Sequence, residues 1–388
     1  MNKVVIVSAK RIPIGKFGGA LKDISATDLG SYAINGALDA INIDRKDIEL
    51  VIMGSVLQAG LGQNPSRQAA MKAGIPQEVP AFTVNEVCGS SLKAIHLGMQ
   101  SIQLGEQSVV LVGGFENMSQ TPYIIKNARF GAKYNNLVQE DSLYHDGLMD
   151  VFSKQPMGVT AENVASKYDV SRLEQDTYAY ESQVRATKAI ESGYFNEEIV
   201  PVQLRQGLLT EDEGVRKDTS IEGLSKLKTV FQEDGTVTAG NSSTLNDGAA
   251  AIILMSEEEA MKRNLKILAY AESYTEMGTD PSLMAYAPYY AINNLLDKNK
   301  LSIEDIDLFE VNEAFGSQMV AIIRDLKIDK NKININGGGI SIGHPIGATG
   351  SRIVVSLINQ LEKEDKKTGV ASLCMGGGMG SALLLRRV

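Results

Sequence analysis

The feature that most restricts how this chain can fold is a pattern that occurs twice. DIELVIMGS begins at Asp47 and DIDLFEVNE at Asp305, and both read as buried strands. VCGSSLKAIHLGMQSI (87–102) is echoed by GATGSRIVVSLINQL (347–361), each a helix opened by glycine and serine. SVVLVGGFE (108–116) is echoed by GVASLCMGGGMG (369–380). The three units keep the same order and similar spacing, which points to an internal duplication; chance likeness among α/β units is the competing explanation. Short β-branched runs such as KVVIVSA (3–9) alternate with amphipathic stretches such as ATDLGSYAINGALDA (26–40), the pattern of an α/β fold around a central sheet. From about 121 to 245 that alternation lapses. MGVTAENVASKYDVSRLEQDTYAYESQVRATKAIESGYF (157–195) has a helical pattern, and the region reads as an inserted helical and loop segment.

A chain of 388 residues is longer than one core usually grows, so two or more domains are expected. The net charge of -9 argues against a nucleic-acid partner, which usually wants a clustered basic face. It leaves room for a small anion in a local basic pocket. Two cysteines far apart make no disulfide framework, and no Cys/His cluster has metal spacing, so reduced thiols and no metal are expected. The N-terminal MNKVVIVSAKRIP is too short in apolar residues for a signal-peptide core. No run reaches the ~18 apolar residues of a membrane helix. A cytoplasmic protein with no membrane partner is the expectation.

Three places can carry chemistry. Cys88 lies in NEVCGSSLKAI at the start of a helix with Leu92, Ile95, Met99 and Ile102 on one face. The helix dipole there favours a thiolate and can lower the thiol pKa from ~8.5. A buried, inert cysteine is the alternative. The second place is NINGGGISIGHPIGATGS (334–351), where glycines 337, 338, 339, 343, 347 and 350 leave backbone bare around His344, one of three histidines. It has neither of the phosphate-binding glycine patterns. The third is SLCMGGGMGSALLL (372–385), an apolar strand ending at Cys374, a glycine turn and a second strand, which predicts a hairpin. VNEAFGSQ (311–318) puts Asn312 and Glu313 at a strand end, where polar side chains can hold a water or a carbonyl oxygen. DGTVTAGNSSTLNDGAAA (234–251) is rich in small residues and suits a narrow channel. For each, turn or cap chemistry is the plainer account.

Taken together these segments resemble the thiolase family. The likeness rests on SAKRIPIGKFGG, NEVCGSS, TVTAGNSSTLNDGAA, NEAFG, GGGISIGHPIGATG and CMGGGMG, in that order along the whole chain. It implies duplicated βαβαβ halves in an α/β/α/β/α sandwich with an inserted loop domain. The implied division is 1–120, completed by about 245–264, then an insertion over 121–244 and a second half over 265–388. The implied activity is acyl exchange between coenzyme A thioesters: two acetyl-CoA condense reversibly to acetoacetyl-CoA and CoA through an acetyl-cysteine. A 3-ketoacyl-CoA thiolase of broader chain length is the alternative. Coenzyme A thioesters are then substrates and no cofactor is implied. The family forms dimers or tetramers.

By position, the resemblance makes Cys88 the acyl-accepting nucleophile, His344 its base and Cys374 the thiol that moves a proton at the α-carbon. Asn312, holding a water, forms one oxyanion site with His344; the backbone N–H groups of Cys88 and Gly376 form the other. Leu148, Met157, Arg216, Ser243, Ala314 and Phe315 line the coenzyme A tunnel, with Arg216 suited to phosphate. One departure stands at Pro156, where many acetoacetyl-CoA thiolases have histidine. His96 and His145 match no catalytic position and are expected on a helix flank and in a loop. A decarboxylating ketoacyl synthase would lack the Cys374 segment. A non-catalytic acyl-CoA carrier has no use for Cys88, His344 and Cys374. A nicotinamide oxidoreductase would need the missing glycine pattern.

Overall fold

Alternate residues of the central strands belong to different layers, and that alternation builds the molecule. All residues from 1 to 388 are described by the computed structural model. The sheet strands are β1 (Val4–Arg11), β2 (Leu50–Gly54), β3 (Ala81–Val84), β4 (Val109–Asn117), β5 (Asn246–Ser256), β6 (Ala269–Gly278), β7 (Leu308–Val311), β8 (Thr368–Met375) and β9 (Met379–Arg386). The main helices are α1 (Ala26–Asp39), α2 (Pro65–Lys72), α3 (Ser90–Leu104), α4 (Met157–Lys167), α5 (Arg172–Glu191), α6 (Ala287–Asn299), α7 (Gly316–Leu326) and α8 (Thr349–Lys363).

The strand order is β7-β8-β9-β6-β1-β5-β4-β2-β3, with the two-residue strand Gly15–Lys16 beside β5. Read outward from the junction of β6 and β1, the two halves match. Each runs through two antiparallel pairings and then a parallel one: β1-β5-β4-β2 and β6-β9-β8-β7. The parallel strand β3 ends the first half, and a parallel bridge from Phe309 to Ile333 stands in its place in the second. The half-sheets pair only through Val5↔Tyr270 and Ile6↔Ala269. These two pairings link the half-sheets into one ten-stranded sheet.

On β4, Val109 and Leu111 pack with α1 and α2, whereas Val110 and Val112 pack with α3 and α8. The same alternation runs through β5, with Ile253 on one side and Ile252 on the other. Helices α3 and α8 thus fill a middle layer touched by both half-sheets, α1 and α2 cover the first half, and α6 and α7 cover the second. The order is α/β/α/β/α. Helices α4 and α5, from the 121–245 region, pack Val164 and Tyr178 against the α7 side.

The middle layer allows close approach. A Cβ on Gly350 would lie 2.4 Å from the backbone nitrogen of Leu92, so α3 and α8 touch at their first turns only because residue 350 is glycine. Those first turns follow Cys88 and His344. Three polar residues of α8 are buried and each finds a partner: Arg352 pairs with Glu310 at 2.9 Å, Gln360 donates to Glu310 at 3.0 Å and Asn359 to Glu198 at 3.1 Å, while Arg352 Nε and Nη2 and Gln360 Oε1 stay without one. No helix is long and apolar enough to cross a membrane.

Candidate active site

The turn from β3 into α3 carries Cys88. Val87 sits at φ +49°, a left-handed conformation that is an outlier for a β-branched residue and costs of order 1–3 kcal/mol. Local bonds hold it. Asn85 Oδ1 accepts from the Val87 N–H at 3.0 Å, while Ser90 Oγ donates to the Val87 carbonyl at 2.6 Å and accepts from the Glu86 N–H at 2.9 Å. The result aims the sulfur at two backbone donors, the N–H groups of Gly376 and of Cys88 itself. Gly376 follows β8 in the hairpin turn to β9, so the two halves of the chain meet at this sulfur.

His344 reaches the same place on the loop before α8. Its N–H donates to Asn246 Oδ1 at 2.9 Å, and Gly343 is held at φ +123°, where a Cβ would lie 2.5 Å from the Asn246 side chain. The ring tautomer follows from one hydroxyl. Thr349 Oγ1 donates to the Pro345 carbonyl at 2.9 Å, so toward His344 Nδ1, 2.7 Å away, it can only accept. The proton therefore sits on Nδ1 and Nε2 is left as the free base. Asn312 Nδ2 lies 3.5 and 3.4 Å from the two ring nitrogens, facing the ring, and Asn312 Oδ1 is buried without a partner.

Cys374 is buried at the end of β8, with its sulfur 3.8 Å from Gln318 Oε1. Cys88, His344 and Cys374 line one cavity of about 70 Å³. Leu148, Met157, Ser243, Ala314, Phe315 and Gly376 line it as well. Ser243 is pinned there by its N–H, which donates to the Ala314 carbonyl at 2.9 Å. Asn312 lies behind His344. Arg216 does not share the cavity: it stands in a separate surface pocket with Gln183, Lys188 and Lys217. Pro156 caps α4 one residue ahead of Met157 and does not line the cavity.

Burial reverses one expectation. The position before α3 suggested a lowered thiol pKa, but desolvation pushes Cys88 up to about 12, against the pull of the two N–H donors. Cys374 is pushed higher still by burial and by the neighbouring Cys88. Desolvation, helped by Arg352, lowers His344 to about 3, so the imidazole is neutral. At neutral pH the site holds two thiols and an unprotonated base.

Sequence reasoning missed several residues. Val87, Gly147, Met284 and Ile346 also line the cavity. Glu116, at the end of β4, accepts from the N–H groups of Val56, Leu57 and Gly347 at 3.0, 3.1 and 2.9 Å and so ties the His344 loop to the first half. Burial pushes it up to about 7. A carboxylate ending the apolar run VVLVGGFE was the available signal. Glu313, beside Asn312 at the strand end, binds Tyr178, Ser182 and Asn334 and braces α5. His145 lies in a helical turn, Leu143–Leu148, beside Lys126 and Asp146 rather than in a loop. His96 is on the flank of α3, stacked on Tyr274 at 4.1 Å.

Sequence comparison settles the family. The thiolase N-terminal domain matches residues 4–258 and the thiolase C-terminal domain residues 265–387. The chain belongs to the thiolase family. It is an acyltransferase of that family. A thiolase-family relative from Staphylococcus aureus strain N315, described as a probable acetyl-CoA acyltransferase, is 50% identical over the full length of both chains. The crystal structure of Bacillus anthracis acetyl-CoA acetyltransferase superposes with a TM-score of 0.97 at 41% identity, covering 100% of this thiolase and 99% of that chain. Human mitochondrial 3-ketoacyl-CoA thiolase in complex with CoA gives 0.97 at 44%, covering 100% and 98%.

Proposed function

We propose that this thiolase interconverts two acetyl-CoA with acetoacetyl-CoA and CoA through an acetyl group on Cys88. The observation that carries this reading is the convergence of Cys88, His344 and Cys374 on one cavity, with two N–H donors aimed at the Cys88 sulfur.

In the thiolytic direction, Cys88 gives its proton to His344 Nε2 as the sulfur attacks the 3-keto carbon. The N–H groups of Cys88 and Gly376 receive the oxyanion, where one preorganised donor is typically worth ~10²–10³ in rate. The bond between C2 and C3 breaks, and its electron pair passes to the enolate of the departing acetyl-CoA. That enolate oxygen faces the imidazolium of His344 and the water that Asn312 would hold. Cys374 protonates C2. CoA then gives its thiol proton to Cys374 and attacks the acetyl group, and the Cys88 sulfur leaves with the proton from His344. The condensation is the reverse. Thioester to thioester exchange leaves each step close to balance, which suits a reversible enzyme.

The small cavity supports an acetyl-sized group on Cys88. A second reading, cleavage of longer 3-ketoacyl-CoA, is favoured by the apolar cluster of Val56, Leu57, Met118, Leu143 and Ile346 next to Cys88, which offers a longer chain an apolar lining. The insertion over 121–244 supplies Gly147, Leu148, Met157 and Ser243 to the cavity and would act as its cover. Arg216, with Lys217 and Lys188, is proposed for the phosphate end of coenzyme A, reached outside the cavity. The exposed edge strand β3 with Phe82, and the exposed Phe130 and Tyr134, support a dimer or tetramer. A cytoplasmic site is proposed from the reduced thiols.

The test is mass spectrometry after mixing with acetyl-CoA, followed by thiolysis rates for acetoacetyl-CoA and longer 3-ketoacyl-CoA. An acetyl adduct on the Cys88 peptide and a preference for the four-carbon substrate are expected. An unmodified Cys88 would overturn the mechanism; faster turnover of long chains would favour the second reading.

A further inference from the structure

The strained turn that presents Cys88 is tied to the second half of the molecule by a cluster that takes no part in the mechanism above. Lys93, one turn into α3, lies 3.4 Å from Glu86 Oε1 and 2.5 Å from Glu276 Oε2 on β6. The two carboxylates are within hydrogen-bond reach of each other. Both are mostly covered, with side chains 17% and 25% exposed, so they interact strongly while remaining open to protons. Tyr274 donates to Glu276 at 3.3 Å, and His96 stacks on Tyr274. Glu86 Oε2 is buried without a partner unless it shares a proton with Glu276. Lys298 of α6 donates to the Tyr274 carbonyl.

We propose that Glu86, Lys93 and Glu276 form a clasp that positions Cys88, and that Glu86 and Glu276 share one proton when it is closed. Glu86 is a positioning residue: it touches neither substrate nor reacting atoms, but it directly precedes Val87. The Val87 side chain in turn borders Gly376, whose Cβ, if present, would lie 3.1 Å from Val87 Cγ1. Moving Glu86 therefore moves Cys88 against its Gly376 donor. With one shared proton the pair carries a single negative charge, matched by Lys93. With both carboxylates ionised, two negative charges meet one lysine; Glu276 holds the closer contact, and Glu86 is released.

Burial and the Glu276 charge push Glu86 up to about 7, while Lys93 pulls it down and Glu276 is lowered, as expected for a pair that titrates together. His96, desolvated, is lowered to about 4 and stays neutral across this range; Tyr274 is pushed above its usual value and stays protonated. Lys93, raised against its desolvation by Glu276 and Glu86, remains cationic. The clasp is thus closed below about pH 7 and opens above it.

This inference rests on Cys88 being the nucleophile, so the experiment reads Cys88 in two ways. Alkylation by iodoacetamide, followed at the Cys88 peptide from pH 5.5 to 9, reports the placement of the thiol whatever the reaction. Single-turnover acetylation by acetyl-CoA reports its use. In the wild type the alkylation profile should break near pH 7. In Glu86→Gln, which keeps a neutral donor toward Glu276, the break should vanish. Glu86→Ala should acetylate ~10–100-fold more slowly at pH 6, where the wild-type clasp is closed, the range expected for a misplaced reacting group, and approach the wild type above the break. Glu86→Gln should return to within about threefold of wild type at pH 6. A break that persists in Glu86→Gln, or wild-type acetylation in Glu86→Ala at pH 6, would overturn the clasp. Should Glu86→Ala not fold, the Glu86→Gln profile alone decides. Absence of any acetyl adduct in the wild type would refute the functional reading, and the alkylation break would still judge the clasp.

Discussion

The two halves share a frame but not a chemistry. In the first half, β2 and β4 pair with Leu50 opposite Val110; in the second, β7 and β8 pair with Leu308 opposite Gly369. A helix of the middle layer follows a loop in each. The loop before α3 carries a thiol, Cys88, and the loop before α8 an imidazole, His344. The end of β4 carries a carboxylate that braces the loops, Glu116, and the end of β8 a second thiol, Cys374. Neither half holds both the proposed nucleophile and its proposed base; they come together only where α3 meets α8. The mechanical setting differs too. Cys88 follows a strained residue in an irregular turn, while Cys374 is in register with Gly380 in a regular hairpin. On the proposed mechanism, the group that approaches a carbonyl carbon is on the adjustable element, and the group that only passes a proton is on the rigid one.

The sharpest break of this comparison separates the two thiols. Cys88→Ala should lower both thiolysis and condensation by at least ~10⁴-fold, since removing a nucleophile that acts in concert with its base disables the whole unit. Cys374→Ala should still accept an acetyl group on Cys88 but lose ~10²–10⁴-fold in carbon–carbon bond formation, the usual reach of a positioned acid–base group. Equal loss of acetylation in both variants, measured by intact mass, would mean that the halves do not divide the work. Asn312→Ala comes next, with ~10²–10³-fold in condensation if it helps hold the enolate oxygen and little change in the acetylation rate.

How much of this was legible in the sequence differs between the halves as well. The strands, the hairpin at 368–386 and the paired helices could be read because apolar runs and glycine turns are local signals. The cavity residues in glycine-rich segments could be named because those segments resemble a known family. The charge states could not. Cys88 looked like an activated thiolate because its neighbours in sequence are a helix N-terminus; the desolvation that outweighs the dipole comes from residues far along the chain, such as Phe315 and Ile346. Polar residues of α8 suggest a solvent face, yet Arg352 and Gln360 meet Glu310, a partner that only the sheet order supplies. Glu313 faces α5 for the same reason.

The raised thiol also yields a test by pH. Because burial holds Cys88 far above neutrality and His344 neutral, no thiolate–imidazolium pair preexists. Alkylation of Cys88 by iodoacetamide should therefore climb close to tenfold per pH unit from 7.5 to 9, above the break assigned to Glu86. A plateau in that range would reveal a preformed thiolate and remove the contrast between a burial-dominated site and a dipole-dominated one. Free Cys374, higher still, should stay unmodified throughout.

The smallest effect concerns one hydroxyl in the second half. Thr349→Val keeps the shape of the side chain and removes the only acceptor that His344 Nδ1–H has. Nδ1–H then lacks its partner and the ring is free to place its proton on Nε2, the atom proposed to receive the Cys88 proton. Turnover should fall about tenfold, equivalent to the ~1.4 kcal/mol of one buried hydrogen bond, with acetyl-CoA binding little changed. Thr349→Ser should restore it. If Val at 349 left turnover at the wild-type level while Ser and Val behaved alike, the Asn312 amide would be the group that orients the ring, and the loop before α8 would be as self-sufficient as the turn before α3.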